Sequence, residues 1–175
     1  MISPRAQYSK LFEMEFEKTA SPYGYCTFCE DIRQEMNGKQ TYVGVVVGTD
    51  LNIQGVLPAG IGKFSIFATF RQRLTDGLGP VVFEVHMPGD EDDKPSARME
   101  FSITDIIANL PAVAPDIDDP FLGIGLGFEF NPLLIKQEGR IQVSAFKAGK
   151  RYKLGSLRVI SRPPAPLKEK KEAAN

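Results

Sequence analysis

The sequence has no tryptophan, one histidine and two cysteines in 175 residues, and each scarcity narrows what the chain can be. Without tryptophan there is no Cys–Trp–Cys spacing, so nothing marks an immunoglobulin domain. With His86 alone, and no Gly-x-Ser-x-Gly elbow, a Ser–His–Asp set has one histidine to draw on and no turn to present its serine. Cys26 and Cys29 cannot make a disulfide framework, and a reduced, cytoplasmic setting is expected. Charge of one sign is also lacking. Lys and Arg number 21 against 22 Asp and Glu, the net charge is −1 and the pI about 5.9, so composition does not favour nucleic acid as a partner. No apolar run approaches the ~20 residues needed to cross a bilayer, so no membrane partner is expected. The longest runs, Val43–Val47 and Leu122–Phe128, have strand length. The N-terminus carries no apolar segment of the kind that directs secretion. Helical periodicity is nearly absent: Thr104–Leu110 can form one or two turns, capped by Thr104 and ended by Pro111.

What is present is alternation with a period of two. Phe64, Ile66, Ala68 and Phe70 share one parity, as do Val81, Phe83, Val85 and Met87. Ala97, Met99, Phe101 and Ile103 repeat the pattern, as do Leu122, Ile124, Leu126, Phe128 and Phe130, and then Ile141, Val143 and Ala145. Each set places one face in a core and the other in water, as half-buried antiparallel strands do. Between Tyr152/Leu154 and Leu157/Val159 the parity changes at Gly155, which predicts a bulge there. About eight short strands with Gly-, Pro- and Asp-rich connections predict an all-β fold, a single antiparallel β-sandwich with at most one short helix. Residues 23–161 make that domain. Residues 1–22 are a leader in which Phe12, Met14 and Phe16 offer an extra edge strand, and residues 162–175 are a Pro/Lys/Glu tail expected to be disordered.

Asn37-Gly38, between two alternating segments, is a strong hairpin signal. A two-residue turn would set Ile32 against Val43, Glu30 against Val45 and Arg33 against Tyr42. Glu30 then lies on the apolar face, where a carboxylate needs a partner. Asp31, Arg33 and Glu35 lie on the other face with Tyr42 across from Arg33, and Glu30, Asp31, Arg33 and Tyr42 become the candidate binding residues. The segment Phe28-Cys29-Glu30-Asp31-Ile32-Arg33, with Asn37-Gly38-Lys39 and a following strand that contains Gly44, resembles a family of small uncharacterised bacterial proteins. The resemblance covers Tyr23–Val47 and implies a single all-β unit; it carries no catalytic residue across.

Other constellations are weaker. Cys26-Thr27-Phe28-Cys29 has redox or zinc spacing, but on a strand the two sulfurs point to opposite faces and further ligands are wanting. Asp90–Asp93 and the trio Asp116, Asp118 and Asp119 are candidate calcium loops without an EF-hand pattern. Gly123, Gly125 and Gly127 lie on a strand rather than before a helix, so they are no dinucleotide fingerprint; they mark a face that something approaches closely. The residues therefore point to a non-enzymatic module that acts through a protein partner or self-association and needs no cofactor. The alternatives are a calcium or small-ligand module on the Asp-rich loops, and a hydrolase built on carboxylates or His86.

Overall fold

A computed structural model describes residues 21–108 and 121–162. The Phe12–Phe16 pattern, the trio Asp116, Asp118 and Asp119, and the tail beyond Arg162 lie outside the described residues. Within them the protein is all-β. The strands are β1 (Tyr23–Cys29), β2 (Asp31–Gln34), β3 (Gln40–Val43), β4 (Asp50–Gln54), β5 (Ala59–Ile61), β6 (Phe64–Arg73), β7 (Val81–His86), β8 (Ala97–Phe101), β9 (Phe121–Phe130), β10 (Leu133–Ile135), β11 (Gly139–Lys147) and β12 (Lys150–Arg162). One short helix, α1, spans Ile103–Ala108. Its cap is Ser102 rather than Thr104, because the Asp105 amide donates to the Ser102 hydroxyl at 3.3 Å.

Twelve strands in four sheets form among the described residues, where the alternation alone predicts about eight. The three-stranded sheet runs β1-β6-β9 and the five-stranded sheet β4-β12-β11-β7-β8; β2-β3 and β5-β10 are two-stranded. Pairing is antiparallel except for β4, which lies parallel to β12. Three of the four extra strands, β4, β5 and β10, are short pieces of three to five residues, too brief for alternation to show. The fourth, β2, is added where the first strand of the predicted hairpin breaks at Glu30.

One core unites the inward faces of the two larger sheets. Phe28, Phe64, Ile66, Ala68 and Phe70 come from one, and Val81, Phe83, Val85, Ile141, Val143 and Leu157 from the other. Phe70 meets Tyr152 edge-on at 5.3 Å, and Phe28 stacks on Phe64 at 6.3 Å. Fully burying each such side chain contributes about 1.5–3 kcal/mol. The two sheets approach closely at the predicted bulge. Val143 pairs with Gly155 and Ser144 with Lys153, so Leu154 is the extra residue. A Cβ at Gly155 would land on the Cys26 sulfur of β1, which is why glycine stands there.

The β2–β3 hairpin differs from its predicted register by one residue. Asp31 pairs with Val43, Ile32 with Tyr42 and Arg33 with Thr41. Met36–Gly38 forms a 3-10 turn closed by Glu35 N donating to Lys39 O at 2.8 Å, with Gly38 at φ +73. A three-residue loop ending in a left-handed glycine replaces the two-residue turn, and a one-residue slip exchanges every face. The strand then ends at Val43, because Gly44 adopts φ +62; of the apolar run, Val45 and Val47 are exposed.

Candidate functional site: the open face of the five-stranded sheet

The slipped register redistributes the candidate residues of the hairpin. Glu30 is exposed, not on an apolar face, and its side chain lies against Gly44, where an added Cβ would come within 2.6 Å of it. Asp31 and Arg33 stay together: the Arg33 Nε donates to Asp31 at 3.0 Å and Lys63 Nζ at 2.5 Å, and Lys63 also reaches Glu129 at 3.3 Å. Bonding to Lys63 first and Arg33 second holds the Asp31 carboxyl below its usual range. Tyr42 leaves that group. With Ile32 it turns toward the three-stranded sheet, meeting the Phe67 ring at 5.4 Å with the planes tilted by 54° and donating its hydroxyl to Gln40 at 3.0 Å. Phe67 in turn covers Gly125, where a Cβ would meet its ring at 2.7 Å, and the Ile32 methyl lies over Gly127. Phe67 and Ile32 thus reach over part of the glycine face, while Gly123, Gly125 and Gly127 themselves stay exposed. Within Phe28–Arg33 the side chains have structural roles: Cys29 is buried, Asp31 binds Lys63, and Ile32 packs on the glycine strand.

The two cysteines diverge as strand geometry requires. Cys26 faces the core, where burial pushes its thiol up to about 12; Cys29 faces the other way, its sulfur 3.7 Å from the Ser65 carbonyl. Neither is a reactive thiolate. In the first acidic loop, Asp90 accepts from the Met87 and Ser96 amides and the Ser96 hydroxyl at 2.7–2.9 Å, so its carboxylate braces the loop. Among the described residues no group of three or more His, Cys, Asp and Glu is placed to hold a metal. His86 pairs with Glu84 at 3.5 Å.

That pair belongs to a surface the sequence did not single out. On β7, β11 and β12 the inward residues are apolar, so their neighbours point outward: Glu84 and His86; Arg140, Gln142 and Ser144; Arg151 and Lys153, then Ser156 and Arg158. Cross-strand pairing aligns them, His86 with Gln142, Gln142 with Ser156, Ser144 with Lys153, Arg140 with Arg158. The bulge matters most. Lys153 and Ser156 are three apart and would face opposite ways on a regular strand; the extra residue turns both outward. Two hollows result, sharing Arg140 and Gln142. One, of about 490 Å³, is bordered by Glu84, His86, Asp90, Asp92 and Arg151. The other, of about 370 Å³, lies over the bulge, lined by Arg140, Gln142, Ser144, Lys153 and Ser156 with no carboxylate.

The cations of this face fall into two groups. Arg158 makes a two-pronged contact with Asp50 at 2.9 and 2.7 Å, and Arg98 reaches Glu84 and Glu100 at 3.4 Å. Arg140 and Arg151 bond instead to neutral groups: Arg140 to Ser156 at 3.4 Å, Arg151 to Ser144 at 2.9 Å and Gln142 at 3.5 Å. Arg151 also lies 5.8 Å from the Phe146 ring centre. Lys153 is exposed with no ion-pair partner among the described residues. The parity change at Gly155 was the sequence signal for this arrangement, but only strand pairing brings Arg140 beside it.

The fold and this face define an all-β protein with a polar, partly basic hollow on one sheet. No protein-family model, curated protein or solved structure matches the chain. Among the described residues no helix is long and apolar enough to cross a membrane.

Proposed function

We propose that the protein is a non-enzymatic β-sandwich, its leaves the three- and five-stranded sheets, that binds an acidic segment of a partner protein on the open face of the larger leaf. The observation that carries this reading is the set Arg140, Arg151 and Lys153: three cations on adjacent strands with no carboxylate partner among the described residues, while Arg98 and Arg158 on the same face have one. Cations with no carboxylate in direct contact steer an anionic partner and fix its register. Of the three, Arg140 also acts on a nearby carboxylate, that of Asp50. Asp50, Glu84 and Glu100 fringe the set, so it suits a short acidic stretch better than a continuous polyphosphate backbone. Gln142, Ser144 and Ser156 add oriented polar contacts.

The test is fluorescence anisotropy with a labelled Asp/Glu-rich peptide, at low and raised salt. Saturable binding that weakens with salt, and is lost in the triple variant Arg140→Gln/Arg151→Gln/Lys153→Gln, supports the reading. Absence of binding to the wild type, or equal binding to the triple variant, overturns it.

A further inference from the structure

We infer that the hollow over the β12 bulge is a receptor for a single oxyanion, the carboxylate or phosphoryl group of a ligand; the inference deepens the acidic-segment reading and rests on the same face. The argument lies in the direction of its hydrogen bonds. An arginine can only donate, so each oxygen it touches must accept. Arg151 donates to Ser144 Oγ at 2.9 Å and to Gln142 Oε1 at 3.5 Å, and Arg140 donates to Ser156 Oγ at 3.4 Å. The oxygens facing the hollow are therefore engaged by the guanidinium groups. The Ser144 and Ser156 hydroxyl hydrogens, the Gln142 amide hydrogens, the remaining Arg140 hydrogens and the Lys153 ammonium are all donors. Each of the engaged oxygens keeps one lone pair, and Val143, Leu154 and Gly155 also line the hollow. Donors nevertheless outnumber acceptors, and with two positive charges such a site favours an anion with several acceptor atoms.

The site is also built into the fold. Ser144 is 1% exposed, held at the floor by β11 pairing on both sides. Lys153 and Ser156 reach the same side only through the bulge. On its core side the bulge is backed by Cys26 of the other sheet, packed against Gly155, so the floor is braced from below. The neighbouring hollow has Glu84, Asp90, Asp92 and Glu138 along it, which repel an anion and confine it to the bulge.

The experiment is an amide NMR titration of the full chain with inorganic phosphate and, separately, with acetate, each against chloride at matched ionic strength. Saturable shifts confined to residues 140–144 and 153–156, absent with chloride, support the inference; tighter binding of phosphate identifies a phosphoryl source, and tighter binding of acetate a carboxylate source. Lys153→Gln and Ser156→Ala, both at exposed positions, should each weaken binding at least several-fold, while Arg98→Gln leaves it unchanged. Shifts that never saturate, that chloride reproduces, or that survive Lys153→Gln and Ser156→Ala overturn it. Anion binding without acidic-peptide binding would keep the oxyanion receptor and remove the protein-partner reading. Peptide binding lost in the triple variant, with no small-anion binding, would do the reverse.

Discussion

The outward faces of the two larger sheets are built on the same alternation and end differently. The three-stranded sheet points Phe67, three glycines and Thr69 away from the core, and the β2–β3 hairpin folds over it with Ile32 and Tyr42. The five-stranded sheet points out arginines, a lysine, an amide and hydroxyls, and nothing among the described residues covers its hollows. An apolar or bare outward face favours shielding, and here the chain's own hairpin shields part of it, around Phe67, while the three glycines stay exposed. A charged outward face is already solvated and can stay open for a partner. The comparison implies that substitutions on the covered face act on stability, and those on the open face act on binding.

The largest effect should come from Phe67→Ala. The ring fills the trough over Gly125 and carries Tyr42. Its loss should cost about 3 kcal/mol, toward the low end for phenylalanine because Phe67 is only partly buried. Thermal unfolding measures the cost, and amide exchange should show β2 and β3 losing protection before β11 and β12 do. Equal loss of protection in both sheets would mean that the hairpin is not a separable cover.

Next is Gly155→Ala, which joins the two faces. The new methyl meets the Cys26 sulfur between the sheets, an overpacking cost of about 1–3 kcal/mol by denaturant unfolding. Cys26→Ala on the same chain removes the sulfur, and the nearest remaining atom, a ring carbon of Phe28, is at 3.7 Å. The double variant should therefore recover most of the loss, a coupling that a double-mutant cycle reads directly. A purely additive result would show that the bulge is strained for another reason.

Lys147→Met probes the core side of the same hairpin. Lys147 is 5% exposed, bonded to Gln72 and, at 2.8 Å, to the Gly77 carbonyl. Replacing it strands the Gln72 side-chain oxygen and should cost about 1–3 kcal/mol. The Gly77 carbonyl keeps the Gln72 amide as a donor at 3.0 Å. Burial holds the Lys147 ammonium below its ordinary 10.5, with nearby Asp76 opposing the shift. The unfolded chain then binds more protons than the folded one over the interval below 10.5, so this group makes stability rise with pH across that interval. The difference in stability between wild type and Lys147→Met should therefore widen from neutral pH toward 10.5; a constant difference would mean that the lysine titrates normally.

Much of this architecture is legible in the sequence, for a physical reason. Long strands with one apolar parity declare themselves, and β6, β7, β9 and β11 lie where alternation puts them. The bulge at Gly155 is visible as a change of parity. The hairpin register is not legible: Asn37-Gly38 suits a two-residue turn and a three-residue loop alike, and the choice depends on Tyr42 meeting Phe67 and Ile32 meeting Gly127, contacts between distant segments. Asp31, Arg33 and Tyr42 share a face only in the predicted register. The open face was missed because its members are scattered over β7, β11 and β12, each an ordinary solvated residue until pairing brings them together.

The smallest effect sharpens the comparison most. Lys153→Gln should change stability by no more than about 0.5 kcal/mol, because an exposed lysine with no ion-pair partner holds nothing in place. Arg158→Gln, three residues past Gly155 on the same face, breaks the two-pronged contact with Asp50. That bonding holds the Asp50 carboxyl below its usual range, so the pair stabilises the fold above pH 3.8 and the benefit fades as pH falls through the lowered value. Arg158→Gln should therefore lower the melting temperature slightly at neutral pH and not in acid, while Lys153→Gln leaves it flat at both. For ligand binding the order reverses, Lys153→Gln weakening it and Arg158→Gln leaving it nearly intact. If Lys153→Gln destabilised the fold as Arg158→Gln does, the lysine would have a structural partner, and the division between cations that hold the sheet and cations left for a ligand would fail.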